Sequence, residues 1–192
     1  MGETVRMIVS SEDEPLILVD GDDNETGSLC KAECHNGAGI LHRAFSIFLF
    51  TPEGELLLQQ RAAGKRLWPM YWSNSCCSHP RQGERVMEAA ARRLQDELHT
   101  SARLEFVYKF IYQASFGDLG AEHELCHVLL GTIDEHPQAN DTEIAALRYV
   151  SADQLDKELE GDAEAFTPWF KQEWRRLNDE FPETLRRYTQ GD

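Results

Sequence analysis

The 192-residue sequence predicts a layered α/β domain built on a mixed sheet, and three observations carry that reading. Ala44-Phe45-Ser46-Ile47-Phe48-Leu49-Phe50 is almost continuously apolar, as expected of a central strand covered on both faces. From Glu84 to Leu98 the apolar residues Val86, Ala90, Leu94 and Leu98 recur every four positions and form one stripe of a helix. Strand-rich stretches lie on both sides of that helix, and two further capped helical patterns close the chain.

Taken in order, residues 1–15 are polar and acidic and read as a loose N-terminal segment. A single domain is expected over 16–180, and a polar tail that frays over 181–192. Leu16-Ile17-Leu18-Val19 is a short strand, and Asp20-Gly21-Asp22-Asp23-Asn24 a turn. That turn lacks the spacing and closing Glu of a calcium loop. Pro52-Glu53-Gly54 is a hairpin turn between the central strand and Glu55–Arg61. Trp72–Pro80 reads as a short strand running into a loop. Leu104–Ala114 and Glu122–Leu130 are strands, Pro137–Asp141 a loop, and Leu147–Val150 another strand. Ser151 caps a helix. Thr167 caps the last helix, with Pro168 at its first position.

Composition bounds the function. With 19 Lys and Arg against 34 Asp and Glu the net charge is -15, which disfavours nucleic acids and anionic membranes as partners. Five cysteines, two of them adjacent, argue against a disulfide framework and for a reducing, cytoplasmic setting. No run is long enough to span a membrane, and the start of the chain reads as no signal peptide. Nothing in the pattern demands an oligomer, so a monomer is expected.

Candidate chemistry gathers around Asn74-Ser75-Cys76-Cys77-Ser78-His79-Pro80. On extended chain Cys77 and His79 point to one face. Glu122 and Glu124 share a strand face in the same way, and two carboxylates that close are stabilised by a cation. His35, His42 and His79 could complete a His3Glu2 set suited to zinc, manganese or iron. Cys30, Cys34 and His35 lack a fourth ligand for a local zinc knuckle. Arg61, Lys65 and Arg66 form a basic island in an acidic protein and mark a candidate anion site.

These motifs, in order and with compatible spacing, resemble type 1 isopentenyl-diphosphate delta-isomerase of the Nudix superfamily. The likeness rests on His35 through His42-Arg43-Ala44-Phe45-Ser46, on Asn74–Pro80, and on Glu122-His123-Glu124-Leu125-Cys126. It implies a Nudix-like α/β/α layered domain over roughly Leu16–Trp169. It implies one Mn2+ or Zn2+, or Mg2+, held by His35, His42, His79, Glu122 and Glu124. Cys77 would be the catalytic thiol and Glu124 the second acid/base, with Tyr112 beside Glu124 and Trp169 facing the hydrocarbon. Lys31, Arg61 and Lys65 would hold an isoprenoid diphosphate, whose accompanying Mg2+ would involve Glu97. The expected reaction is isomerisation of isopentenyl diphosphate to dimethylallyl diphosphate in isoprenoid synthesis.

The superfamily's helix motif falls on Ser78, Glu84 and Arg92–Thr100, with departures at Ser78, Arg93, His99 and Thr100 and a conservative change at Asp96. Arg93 stands where hydrolases carry a carboxylate, which argues against the alternative of a Nudix diphosphate hydrolase. Ser78 and His99 replace expected glycines, and Ser78 tests whether its loop needs glycine's conformational freedom. A non-catalytic metal-binding scaffold is the third reading; it leaves Cys77, Trp169 and the basic island without a common purpose.

Overall fold

One strand, β3 (His42–Phe50), organises the sheet. In the computed structural model, which describes residues 9–191, β3 pairs with four neighbours: β1 (Pro15–Val19), β4 (Leu56–Arg61), β6 (Cys76–Ser78) and β8 (Ala121–Thr132). Its pairing with β8 is parallel and continuous from His42↔Glu124 to Phe50↔Thr132. The strand can sit centrally because it is apolar on both sides. Ala44, Phe48 and Phe50 enter one core, and Phe45, Ile47 and Leu49 the other.

The remaining strands extend the sheet outward. β2 (Glu25–Cys30) pairs with β1, β5 (Trp72–Ser73) and β9 (Ile144–Val150) with β4, and β7 (Arg103–Ser115) with β8. One face is covered by α2 (Val86–Leu98), whose Ala90, Leu94 and Leu98 are fully buried in the stripe the sequence predicts. The other is covered by α3 (Ala152–Gly161), α4 (Pro168–Glu180) and α5 (Pro182–Thr189). The architecture is thus the expected α/β/α sandwich with a mixed sheet. Among the described residues no helix is long and apolar enough to cross a membrane.

Several local expectations need correction. The segment after Pro182 does not fray but forms α5. Leu185 is only 4% exposed, Tyr188 packs 5.5 Å from Phe50, and Arg187 reaches Glu105 at 2.8 Å. Gly54 answers this packing. At φ +84° it lies against the end of α5, where a Cβ would come within 2.4 Å of the Thr189 carbonyl oxygen. Residues 9–15 are not loose either: Lys31 and Ala32 donate backbone hydrogen bonds to the carbonyls of Glu14 and Glu12. The expected loose stretch at residues 1–8 lies outside the described residues. Thr167 precedes α4 but makes no side-chain cap; its Oγ1 pairs instead with Ser73 Oγ at 2.9 Å. Ser151 does cap α3 by accepting from the Gln154 amide. β2 and the one-turn α1 (Lys31–Cys34) carry too little periodicity to be read from sequence.

Candidate metal centre and active site

Strand register builds the site. Side chains opposite one another on paired strands share a face. His42 lies opposite Glu124, and Ser46 opposite Cys77. His42, Ser46, Cys77, Glu122 and Glu124 therefore line one side of the sheet. His79 follows β6 directly. His35 ends α1, and its carbonyl accepts from the Ala121 amide at 3.0 Å. That close approach needs Gly120, where a Cβ would lie 2.2 Å from the same carbonyl oxygen.

The five predicted ligands converge. One donor atom from each of His35, His42, His79, Glu122 and Glu124 lies within 4.8 Å of every other. His42 Nδ1 lies 2.7 Å from the Ile40 carbonyl, an acceptor, so Nδ1 carries the hydrogen and the Nε2 lone pair points inward,. Nε2 of His79 faces it at 3.2 Å and lies 3.0 Å from Glu124 Oε1. His35 Nε2 and Glu122 Oε2 are 3.0 Å apart yet not aligned as a hydrogen bond, and both are buried without another hydrogen-bond partner among the described residues. Lone pairs facing inward and buried atoms left unsatisfied are what a divalent cation would satisfy. The nitrogen and carboxylate donors suit zinc or manganese. The residues therefore fit a metal.

The electrostatics agree. Burial opposes charge on Glu124, but the neighbouring His42 and His79 rings hold its carboxyl well below the ordinary range. Glu122 is lowered too, with burial overcome chiefly by His35. Burial works to lower His42, and Glu124 more than offsets it, so His42 rises. Burial dominates at His79 and drives it down to about 3.

Beside the cluster opens a cavity of about 350 Å³ whose lining includes Cys77, His79, Tyr112, Glu122, Glu124 and Trp169. Burial pushes the Cys77 thiol up to about 12, against the pull of Arg61, so the sulfur keeps its proton at neutral pH. The Tyr112 hydroxyl donates to Glu124 Oε2 at 2.6 Å. Trp169 stands edge-on to Trp68 at 5.2 Å and beneath the Arg61 guanidinium at 5.2 Å.

Cations line the same cavity. Lys31, Arg61, Lys65, Arg66 and Arg93 all line it. Arg61 is fixed by the carbonyls of Leu67 and Trp68 at 2.9 and 3.0 Å, and its Nη1 lies 3.8 Å from Cys77 Sγ. Trp68 and Met70 hold positive φ in the loop between β4 and β5. Arg66 braces that loop against the Ala32 and Leu119 carbonyls. Lys65 pairs with the buried carboxylate of Glu143, which also lies 3.8 Å from Arg93.

The sequence-predicted residues His35, His42, His79, Glu122, Glu124, Cys77, Tyr112, Trp169, Lys31, Arg61 and Lys65 are thus brought together. Glu97 is not part of the five-donor cluster: it is buried and bound to Arg93 Nη2 at 2.6 Å. Sequence reasoning missed Glu143, which lies on no periodic pattern. It placed Arg93 one turn before Glu97 on a charged, solvent-exposed face, whereas both are buried and paired. Ser78 belongs to β6 and has no positive φ. The left-handed position is that of His99, at φ 49°, ending α2.

An α/β/α sandwich with a site on this sheet face is a Nudix arrangement, and the Nudix domain family model matches residues 40–170. Solved structures share the fold. The Deinococcus radiodurans protein DR0079 superposes with a TM-score of 0.65 at 20% identity, covering 91% of this chain and 99% of its own. A MutT protein from Methanosarcina mazei gives 0.61 at 16% identity, covering 73% and 95%. Sequence relatives are nearer. Isopentenyl-diphosphate Delta-isomerase 1 of Photorhabdus laumondii is 42% identical over 84% of this chain and 93% of its own length. The Serratia proteamaculans isopentenyl-diphosphate Delta-isomerase is 49% identical over 82% and 88%. The chain belongs to the isopentenyl-diphosphate Delta-isomerase family within the Nudix superfamily.

Proposed function

We propose that the chain converts isopentenyl diphosphate to dimethylallyl diphosphate. The observation that carries this reading is a thiol and a carboxylate in one cavity, Cys77 and Glu124, lined also by the aromatic rings of Tyr112 and Trp169 and by the cations Lys31, Arg61 and Lys65. The alkene's π electrons take the Cys77 proton at the terminal methylene and leave a tertiary carbocation. Glu124 removes a proton from the neighbouring CH2, and those C–H electrons form the new double bond. The reverse reaction exchanges the two roles. Trp169 and Tyr112 exclude water, and the indole face of Trp169 is suited to stabilise a cation. A divalent ion held by His35, His42, His79, Glu122 and Glu124 would supply Lewis acidity that tunes Glu124. Lys31, Arg61 and Lys65 bind the diphosphate, accompanied by Mg2+, with which the family resemblance associates Glu97. The reading includes a monomeric, cytoplasmic enzyme whose single domain spans 16–180 and extends through α5.

The test is to incubate the metal-loaded protein with isopentenyl diphosphate and Mg2+ and to follow both the allylic product and released phosphate. Dimethylallyl diphosphate without phosphate is expected. Cys77→Ser is expected to abolish turnover while leaving the melting transition in place. Phosphate without the allylic product would overturn the reading in favour of a hydrolase. Wild-type activity in Cys77→Ser would overturn the thiol's role.

A further inference from the structure

One turn beyond Trp169, α4 carries a carboxyl that the proposed reaction does not use. Glu173 is fully buried. Its Oε1 lies 3.5 Å from Cys126 Sγ, the nearby Ser46 hydroxyl favours the charged form of the carboxyl, and Oε2 has no hydrogen-bond partner among the described residues. The Cys126 thiol in turn lies 3.4 Å from Ser46 Oγ. The groups acting on this carboxyl are Ser46 on β3, Cys126 on β8 and the more distant carboxylate of Glu124. Tyr108 on β7 reaches only the Glu173 backbone carbonyl, at 3.2 Å. None of these groups is a cation. A buried carboxylate without a counter-charge is costly, so the group is held as the neutral acid. Burial, its largest influence, takes it from 4.5 to about 8.

The two residues that receive Glu173 are informative. Ser46 is the cross-strand partner of Cys77. Cys126 lies two residues beyond Glu124 on β8 and so faces the same side,. Trp169 and Glu173 are four residues apart on one face of α4,. One carboxyl therefore joins the helix bearing the aromatic wall to the strand neighbours of both proton-transfer groups.

We propose that Glu173 is a positioning residue: its carboxyl seats α4 on Ser46 and Cys126 and thereby holds Trp169 in place over Cys77 and Glu124. The inference rests on the isomerase reading. Leucine at this position fills the volume without the polar contacts and keeps the fold. Misplacing the wall costs turnover rather than diphosphate affinity, because Lys31 and Lys65 do not depend on Trp169 and Arg61, which lies over it, is fixed independently by the Leu67 and Trp68 carbonyls. Glutamine keeps a neutral, hydrogen-bonding group of the same shape.

The experiment measures kcat and KM for the metal-loaded wild type, Glu173→Leu and Glu173→Gln between pH 6 and about 9.5, a range set to bracket the Glu173 transition, with melting temperatures at each pH. Glu173→Leu is expected to lose roughly tenfold or more in kcat with KM nearly unchanged. Glu173→Gln is expected to match the wild type at neutral pH and to lack the wild type's fall in kcat above about pH 8. The melting curves follow from the sign of the linkage. Between 4.5 and about 8 the unfolded chain has released this proton while the folded chain retains it. Wild-type stability therefore declines across that window, and the advantage of Glu173→Gln grows with pH. Full kcat in Glu173→Leu, or an unchanged alkaline fall and melting gap in Glu173→Gln, would overturn the inference alone. A wild type that makes no allylic product would overturn the isomerase reading, and this inference with it.

Discussion

Tyr112→Phe removes one oxygen atom from the site and leaves its shape intact. That hydroxyl donates to Glu124 Oε2 at 2.6 Å. Tyr112 is a dependable donor: burial, followed by the neighbouring carboxylates, raises it well above its ordinary range. A hydrogen bond to a charged group contributes about 1.5–3 kcal/mol. At about 1.4 kcal/mol per tenfold, removing it costs roughly 10- to 150-fold in kcat if the bond supports Glu124 in the transition state. The ring stays beside Trp169, at a 6.0 Å centroid separation, and Lys31, Arg61 and Lys65 are unchanged, so KM is expected to move little. Steady-state conversion of isopentenyl diphosphate, with the melting temperature as a folding control, checks this. A raised KM with wild-type kcat would place Tyr112 in substrate binding and refute the reasoning.

Removing the metal by chelation is expected to abolish turnover and lower the melting temperature. Zn2+ or Mn2+ should restore both, because a ligand present at a thousand times its Kd stabilises the fold by about 4 kcal/mol; full activity after verified metal removal would refute the assignment of the cluster. Arg93→Met strands the carboxylate of Glu97, whose side chain is only 3% exposed. It should cost about 3–5 kcal/mol in urea unfolding, with most of the loss recovered on adding Glu97→Met. Leu185→Ala is expected to cost about 2–5 kcal/mol because its side chain is buried under α5,; a change near zero would mean that the helix does not dock in solution.

The elements most legible in the sequence are those whose pattern is local. The apolar run of β3 and the four-residue stripe of α2 are periodic, and the structure returns both. The His3Glu2 set was legible in part because Glu122 and Glu124 alternate along a strand and because the motif spacing resembles a known family. Glu143 and Glu173 were not legible. Each owes its significance to residues far away in sequence, Lys65 and Arg93 for one, Ser46 and Cys126 for the other. α5 was misread because polarity outweighed the spacing of Phe181, Leu185 and Tyr188, which dock together in the core. Thr167 shows the same limit: its hydroxyl had a suitable local role but found Ser73 across the fold.

The adjacent thiols Cys76 and Cys77 are chemically identical, and only parity separates them. β6 places Cys76 opposite Ile47 and Cys77 opposite Ser46, so one sulfur enters the core beneath α2 and the other looks into the cavity. Sliding β6 by a single residue would exchange them, and every odd shift would do the same, whereas an even shift would restore a thiol-facing or hydroxyl-facing strand of the original sense. Which sulfur faces the cavity is therefore a counting problem solved by the ladder of β3. Which of the two cysteines meets the cavity depends on that arithmetic more than on anything intrinsic to either residue.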